Sequence, residues 1–263
     1  LVELGELPYR IENAEGRGPV VLLVDHASNR IPPRWHDLGL SPADLEEHIA
    51  WDPGALPVAR EMSRILDAPL VAGTVSRLVL DLNRPVGSAT MMPETSESTH
   101  IPGNRGIDDA ERKRRVDAIW VPYHRAVEDV VSRQVGRCGD GVAVIAIHTF
   151  TPVYRGVRRT LDVGVLFDGD DRLGRAMLDR LSRHGALDCR ANEPYSPADE
   201  VYYSLSRHAE QRGLQSAMIE IRNDLVRTEG DQRIWAERLA DAARGTDLHS
   251  VGGAPPLRSA RDG

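Results

Sequence analysis

The chain has 263 residues, 41% of them hydrophobic and 28% charged, and a formal net charge of −7. That length suits one large α/β domain with a substantial core, expected over residues 1–251 with a loose tail over 252–263. A negative balance argues against a nucleic-acid partner, which calls for a surplus of Lys and Arg, but a small anionic substrate can still be held by two or three local arginines. No apolar run reaches the roughly 18–20 residues of a membrane span, and the first residues have neither a basic nor an apolar leader region, so no membrane partner and a cytoplasmic location are expected. Cys138 and Cys189 make neither a disulfide framework nor a CxxC metal motif. Oligomeric state is not written in these features.

The first element, Val20-Val21-Leu22-Leu23-Val24, is a short apolar, β-branched run of the kind buried on both faces of a sheet, and it stops at Asp25-His26. Pro53 to Leu66 has helical spacing, with Asp52 placed to cap it and Pro53 at a first position where its missing N–H costs nothing. Val71 to Val75 and Leu78 to Leu82 read as two strands separated by Ser76-Arg77. The stretch from Val86 to Gly106 is a long loop, the length at which loops become lids or binding walls. Asp108 to Val135 is the longest helical segment, to be kinked or divided at Pro122.

Val142 to Ile147 is a second fully apolar strand, and it stops at His148. Strands over Asp162 to Phe167 and Ser216 to Ile221, the latter carrying Glu220, alternate with helices over Arg172 to His184, Ser206 to Gly213 and Asp231 to Arg244. Alternation of this kind predicts an α/β three-layer sandwich, a central mixed and mostly parallel sheet flanked by helices.

In open α/β sheets ligands bind at the carboxyl ends of strands, so polar residues that follow apolar runs are the first site candidates. His26 and His148 qualify, whereas His36, His184 and His249 fit ordinary surface or core roles. Two imidazoles and a carboxylate leave one position open, the requirement of a catalytic zinc site, and Asp52 is the candidate third ligand, in competition with its role as a helix cap. Asn29 is a poorer donor. Glu220, partly desolvated on an apolar strand, is the candidate general base, with pairing to Arg222 as the alternative. His208 is placed to donate to a developing oxyanion or to lie on a helix surface. Asn83 and Arg84 could fork onto a substrate carboxylate, with Arg222 a further substrate-binding candidate, and Arg77 either joins them or pairs with Asp81. GxSxG, HExxH, phosphate-loop and dinucleotide fingerprints are absent from the sequence.

Four segments taken in order, Asp25-His26-Ala27-Ser28-Asn29-Arg30-Ile31-Pro32, Ser76-Arg77 with Asp81-Leu82-Asn83-Arg84, His148-Thr149-Phe150-Thr151-Pro152, and Ile219-Glu220-Ile221-Arg222-Asn223-Asp224-Leu225, resemble the N-formylglutamate amidohydrolase family. The resemblance implies a zinc-carboxypeptidase-like fold with a mixed sheet of about eight strands, one zinc ion at the strand ends, and hydrolysis of N-formyl-L-glutamate to formate and L-glutamate. It also implies that Asn83-Arg84 grips the substrate carboxylate, that Arg77 polarises the scissile carbonyl and that Glu220 is the base. Those peptidases take two ligands from one HxxE, and Asn29 stands at the position of its carboxylate here, so the carboxylate ligand must come from elsewhere in the chain. Another zinc-dependent N-acyl amino acid or peptide amidase, and a non-catalytic binder of small acids, are the alternatives.

Overall fold

The computed structural model describes residues 4–183 and 185–244, so the tail expected over 252–263, its boundary at 251, His184 and His249 lie outside the described residues. Seven strands form the central sheet: β1 Tyr9–Glu12, β2 Val20–Val24, β3 Leu70–Gly73, β4 Ala143–Phe150, β5 Val163–Leu166, β6 Cys189–Ala191 and β7 Gln215–Arg222. Their order across the sheet is β1-β3-β2-β4-β7-β5-β6. The pairs β3–β2, β2–β4, β4–β7 and β5–β6 are parallel, and β1–β3 and β7–β5 antiparallel. The α/β mixed sheet is therefore the expected one, with seven strands where about eight were implied. Periodicity missed the edge strands β1 and β6, which are short and half exposed and carry no apolar run.

Alternate residues of the buried strands feed two cores, which fixes the layers. Val21 and Leu23 of β2 pack with Tyr123, Val127 and Val131, while Leu22 and Val24 pack with Val58, Met62 and Leu239 on the other face. Helices Ala55–Leu66, Arg172–Ser182 and Glu229–Arg244 cover that second face. The first is covered by Val121–Cys138 and Tyr203–His208.

Leu78 to Leu82 is not a strand: it runs as buried turns. Leu78, Val79, Leu80 and Leu82 are all buried, but no neighbouring strand supplies a ladder. The backbone is satisfied instead by side chains from distant parts of the chain, as a buried backbone must be. Asn104 Nδ2 donates to Leu78 O at 2.8 Å, Arg115 Nη1 to Val79 O at 3.0 Å, His124 Nε2 to Leu82 O at 3.0 Å and Trp120 Nε1 to Arg84 O at 3.1 Å. The apolar pattern was a signal of burial, and no local signal announces those four partners.

Pro122 neither breaks nor divides its helix. The segment Asp109–Arg115 widens into a π-helical turn over Val116–Trp120 and resumes as Val121–Cys138. A wider turn relieves the collision of the proline ring with the carbonyl one turn back. It also sets the rotation that brings Trp120, Tyr123 and His124 to bear on the segment from Asp81 to Arg84 and on Asp25.

Candidate active site

Three polar residues come together where the predicted strand ends lie. His26 follows β2, and Asp52 is drawn beside it because its backbone N–H donates to His26 O at 2.9 Å. Asp52 does not cap the next helix: Gly54, at φ 86°, takes the cap position without a side-chain bond, and the Asp52 carboxylate turns toward the imidazoles. His148 lies inside β4, which continues to Phe150 rather than stopping at Ile147. His26 Nδ1 and His148 Nδ1 lie 3.4 and 2.8 Å from the same oxygen, Asp52 Oδ2. All three residues are buried, and one donor atom from each fits within 4.8 Å. Asn29 is turned away, its amide donating to Leu45 O at 2.9 Å.

Each imidazole is backed by a second carboxylate. His26 Nε2 donates to Asp81 Oδ1 at 2.7 Å, and His148 Nε2 faces Asp25 Oδ2 at 3.4 Å. Asp25 is itself aimed by Tyr123 Oη and Ser204 Oγ, which donate to its Oδ1 at 2.7 and 2.8 Å. A carboxylate beside the far nitrogen favours the tautomer that leaves the Nδ1 lone pair for a metal, the arrangement found around metal-ligating histidines. Asp25 carried no assigned role in the sequence although it adjoins His26, and Asp81 stood there only as a partner for Arg77. Tyr123 and Ser204 gave no signal, because a helical register cannot say which distant carboxylate a hydroxyl will meet.

Charge also supports a cation here. Removing a carboxylate from water costs several kcal/mol unless it is compensated, and three buried aspartates, Asp25, Asp52 and Asp81, surround the imidazoles. Arg77 bridges two of them, Nη2 to Asp81 Oδ2 at 2.9 Å and Nη1 to Asp52 Oδ1 at 3.4 Å. Burial opposes charge on all three carboxyls, but the imidazoles, and Arg77 at Asp81, hold them below the usual carboxylate range, Asp25 at about 2. Burial likewise opposes charge on His148, yet Asp25 and Asp52 raise it to about 10. Two nitrogens, one oxygen and an excess of buried negative charge suit a divalent ion of zinc's preferences. His26, Asp52 and His148 are the residues that would hold it.

A cavity of about 320 Å³ opens over this group and is lined also by Arg77, Arg84, Tyr195 and Glu220. Glu220 is buried within β7, as the register partner of His148 on one side and Gly164 on the other. Its Oε2 has no hydrogen-bond partner among the described residues, and burial pushes the carboxyl up to about 7. Gly164 is required there, since a Cβ would sit 1.7 Å from Glu193 O, and the close approach brings the chain over the sheet to Tyr195. The long loop supplies another wall through Thr90, Pro93 and Glu97, with Glu97 ion-paired to His48 at 2.8 Å.

Three candidates are placed differently from expectation. His208 does not line the cavity: it is buried, stacked on His124 and donating from Nε2 to His124 Nδ1 at 2.8 Å, because its helix packs inward against Val121–Cys138. Arg222 is engaged by Asp162 at 3.0 Å and Asp224 at 2.7 Å, so it is a tie between strand and loop and does not pair with Glu220. Asn83 lines the cavity, but its amide holds the start of the Tyr203–His208 helix, accepting from Ser204 N at 2.9 Å and donating to Val201 O. Arg84 keeps one end available. Its Nε donates to Thr90 Oγ1 and its Nη1 to two backbone carbonyls, while Nη2 has no acceptor among the described residues.

The sequence profile of the N-formylglutamate amidohydrolase family matches residues 18–227. The chain belongs to this family. The match covers the residues that build the cavity, from β2 through the loop after β7. An N-formylglutamate deformylase from Pseudomonas putida is 30% identical over 129 residues, 45% of this chain and 47% of that protein, so the chain matches about half the length of this curated relative. A gene product of Agrobacterium tumefaciens, known from its crystal structure, is 44% identical, with a TM-score of 0.87 over 91% of this chain and 94% of that one. The N-formylglutamate amidohydrolase of Ralstonia eutropha shares the fold at a TM-score of 0.63 and 20% identity, over 91% of this chain and 99% of its own. Among the described residues no helix is long and apolar enough to cross a membrane.

Proposed function

We propose that the chain is a zinc-dependent amidohydrolase acting on a small N-acyl amino acid, with N-formyl-L-glutamate as substrate and formate and L-glutamate as products. The proposal rests on one observation: two imidazole nitrogens and a carboxylate oxygen converge in a cavity that also contains a buried, unpartnered glutamate oxygen. Membership of the family and the deformylase relative favour this substrate.

Zinc held by His26, Asp52 and His148 would supply a Lewis acid that polarises the acyl oxygen and acidifies water. Glu220 takes the proton of the attacking water on Oε2, and a carboxyl poised near neutrality can then return it to the departing amine nitrogen. Arg77 presents a guanidinium fixed by Asp52 and Asp81, so it meets negative charge growing on the acyl oxygen without having to reorganise. Arg84 takes the α-carboxylate of the substrate through its available Nη2. Asn83 acts one step back, by fixing the backbone from Val201 to Ser204 that helps close the cavity.

Elemental analysis of the purified protein, followed by a formate-release assay on N-formyl-L-glutamate, N-acetyl amino acids and small peptides, tests the proposal. Stoichiometric zinc and formate release are expected. Faster turnover of N-acetyl amino acids or peptides would assign a different amidase, and small-acid binding with neither metal nor turnover would make the chain a binding protein.

A further inference from the structure

The chain from Val86 to Glu94 serves two cavities. Thr90 and Pro93 line the one that contains His26, Asp52, His148 and Glu220. Met91, Met92 and the stretch from Val86 to Ala89 line a second, of about 650 Å³, whose other wall is Arg112 and Lys113 of the helix Asp109–Arg115 with Val116 after it. That volume is in the range of small-molecule sites, and the lining is largely apolar, as such sites are. Methionine, unbranched and polarisable, packs against ligands of varied shape. Val86, 54% exposed, leaves apolar surface open at this place.

Three charged residues line this second cavity, and two of them are committed. Lys113 is engaged by Asp117 one turn on, and Glu94 Oε1 accepts from Gly106 N at 3.1 Å. Arg112 is half-buried, and its guanidinium makes no hydrogen bond or ion pair among the described residues. An uncommitted guanidinium at an apolar cavity complements one ligand chemistry, a carboxylate carried on an aliphatic chain. The wall is also wired to the first cavity. Arg84 Nε donates to Thr90 Oγ1 at 3.0 Å, Thr90 Oγ1 lies 3.0 Å from Ser88 Oγ, and Ser88 Oγ donates to Glu200 Oε2 at 2.9 Å, so a residue of the second cavity is two hydrogen bonds from Arg84. Met91 O accepts from the backbone N–H of Asp81, the partner of His26, at 2.8 Å.

We infer that the second cavity is an effector site for an amphipathic carboxylate, whose chain lies against Met91, Met92 and Val116 and whose head meets Arg112, and that its occupation strengthens substrate binding at Arg84. A ligand that packs on the Val86–Glu94 wall as it stands favours that conformation over others, and in it Thr90 supports Arg84 while Arg84 Nη2 is left for substrate. The effect on substrate rests on the amidohydrolase function proposed above, whereas the binding site does not.

Octanoate is the probe, with octanol as its uncharged counterpart and butyrate as its short one. Calorimetry on the purified protein is expected to show one octanoate per chain, bound more tightly than either control. Arg112→Gln weakens octanoate about 10-fold or more, the scale of a charge-assisted contact, and brings it level with octanol. Ala89→Trp, which fills the cavity from an exposed position, abolishes binding. No saturable octanoate binding, or binding equal in wild type and Arg112→Gln, would overturn the site. In the formate-release assay, saturating octanoate should lower KM for N-formyl-L-glutamate about 5-fold with kcat little changed, and Arg112→Gln should need more octanoate for the same effect while its turnover without octanoate matches wild type. A KM unchanged or raised by bound octanoate would overturn the effector role. If the wild type turns over no N-acyl amino acid, the amidohydrolase proposal and with it the effector role fail, and the calorimetry alone decides the site.

Discussion

Glu220 and His148 are register partners on adjacent parallel strands, so the candidate base and a candidate metal ligand are held by one rung of the sheet. A rigid rung fixes the separation of the two side chains better than a loop could, and the Glu220 Oε2 without a partner is the atom left for chemistry. Glu220→Gln keeps the shape and removes the proton acceptor. It is expected to retain bound zinc and to lower kcat by roughly 10²–10⁴-fold, the range of general acid–base contributions; full activity in a steady-state assay would remove Glu220 as the base.

His148→Ala takes one of three donors from a buried group. Loss of stoichiometric zinc is expected by elemental analysis, with circular dichroism used to show that the fold persists. Zinc retained at one per chain would exclude His148 as a ligand.

The carboxylates behind the imidazoles give a subtler test. Asp81→Asn and Asp25→Asn leave all three donors in place but weaken the partners of His26 Nε2 and His148 Nε2. Zinc affinity measured by chelator competition should fall roughly 10–100-fold in each. Unchanged affinity would mean that the two aspartates serve only the fold.

His124 and His208 predict acid sensitivity of the fold. His208 Nε2 donates to His124 Nδ1, and His124 Nε2 donates to Leu82 O, a chain that requires the His124 ring to be neutral. Burial pushes His124 down to about 4, and burial with the neighbouring His124 pushes His208 down to about 3. An unfolded histidine titrates near 6.5, so between about 6.5 and 4 the unfolded chain binds protons that the folded one refuses, and stability falls as pH falls. Glu220, raised to about 7, acts in the opposite sense over part of that window, so the quantity to follow is the difference between wild type and a variant with both histidines changed to Gln. Urea midpoints for the wild type should drop more steeply from pH 6.5 to 4 than those of the variant. Parallel curves would show that the pair carries no linked protons.

Much of the frame is legible in apolar runs. Val20–Val24 was bounded to the residue, and the runs beginning at Val142 and Ser216 became the two longest strands. Placement of polar residues after such runs picked out His26 and His148, and both reach the cavity. Failures came where a residue's partner is remote in sequence. Leu78 to Leu82 has the alternation of a strand, but its backbone is satisfied by Asn104, Arg115 and His124. His208 and Arg222 are polar residues near the right strand, but their faces are set by packing that leaves them outside the cavity.

By itself the sequence determined the buried strands and the longer helices, the family motifs and the identity of the groups able to hold a metal, because hydrophobic period and residue chemistry are local properties. Only the tertiary structure took Asp52 off the helix cap and turned it toward the imidazoles, placed Asp25 and Asp81 on the far sides of the histidines, and withdrew His208 and Arg222 from the cavity. Each of those outcomes depends on which side chains meet across 26 or more residues of chain, and such a meeting is fixed by how whole layers pack rather than by any pattern within one segment.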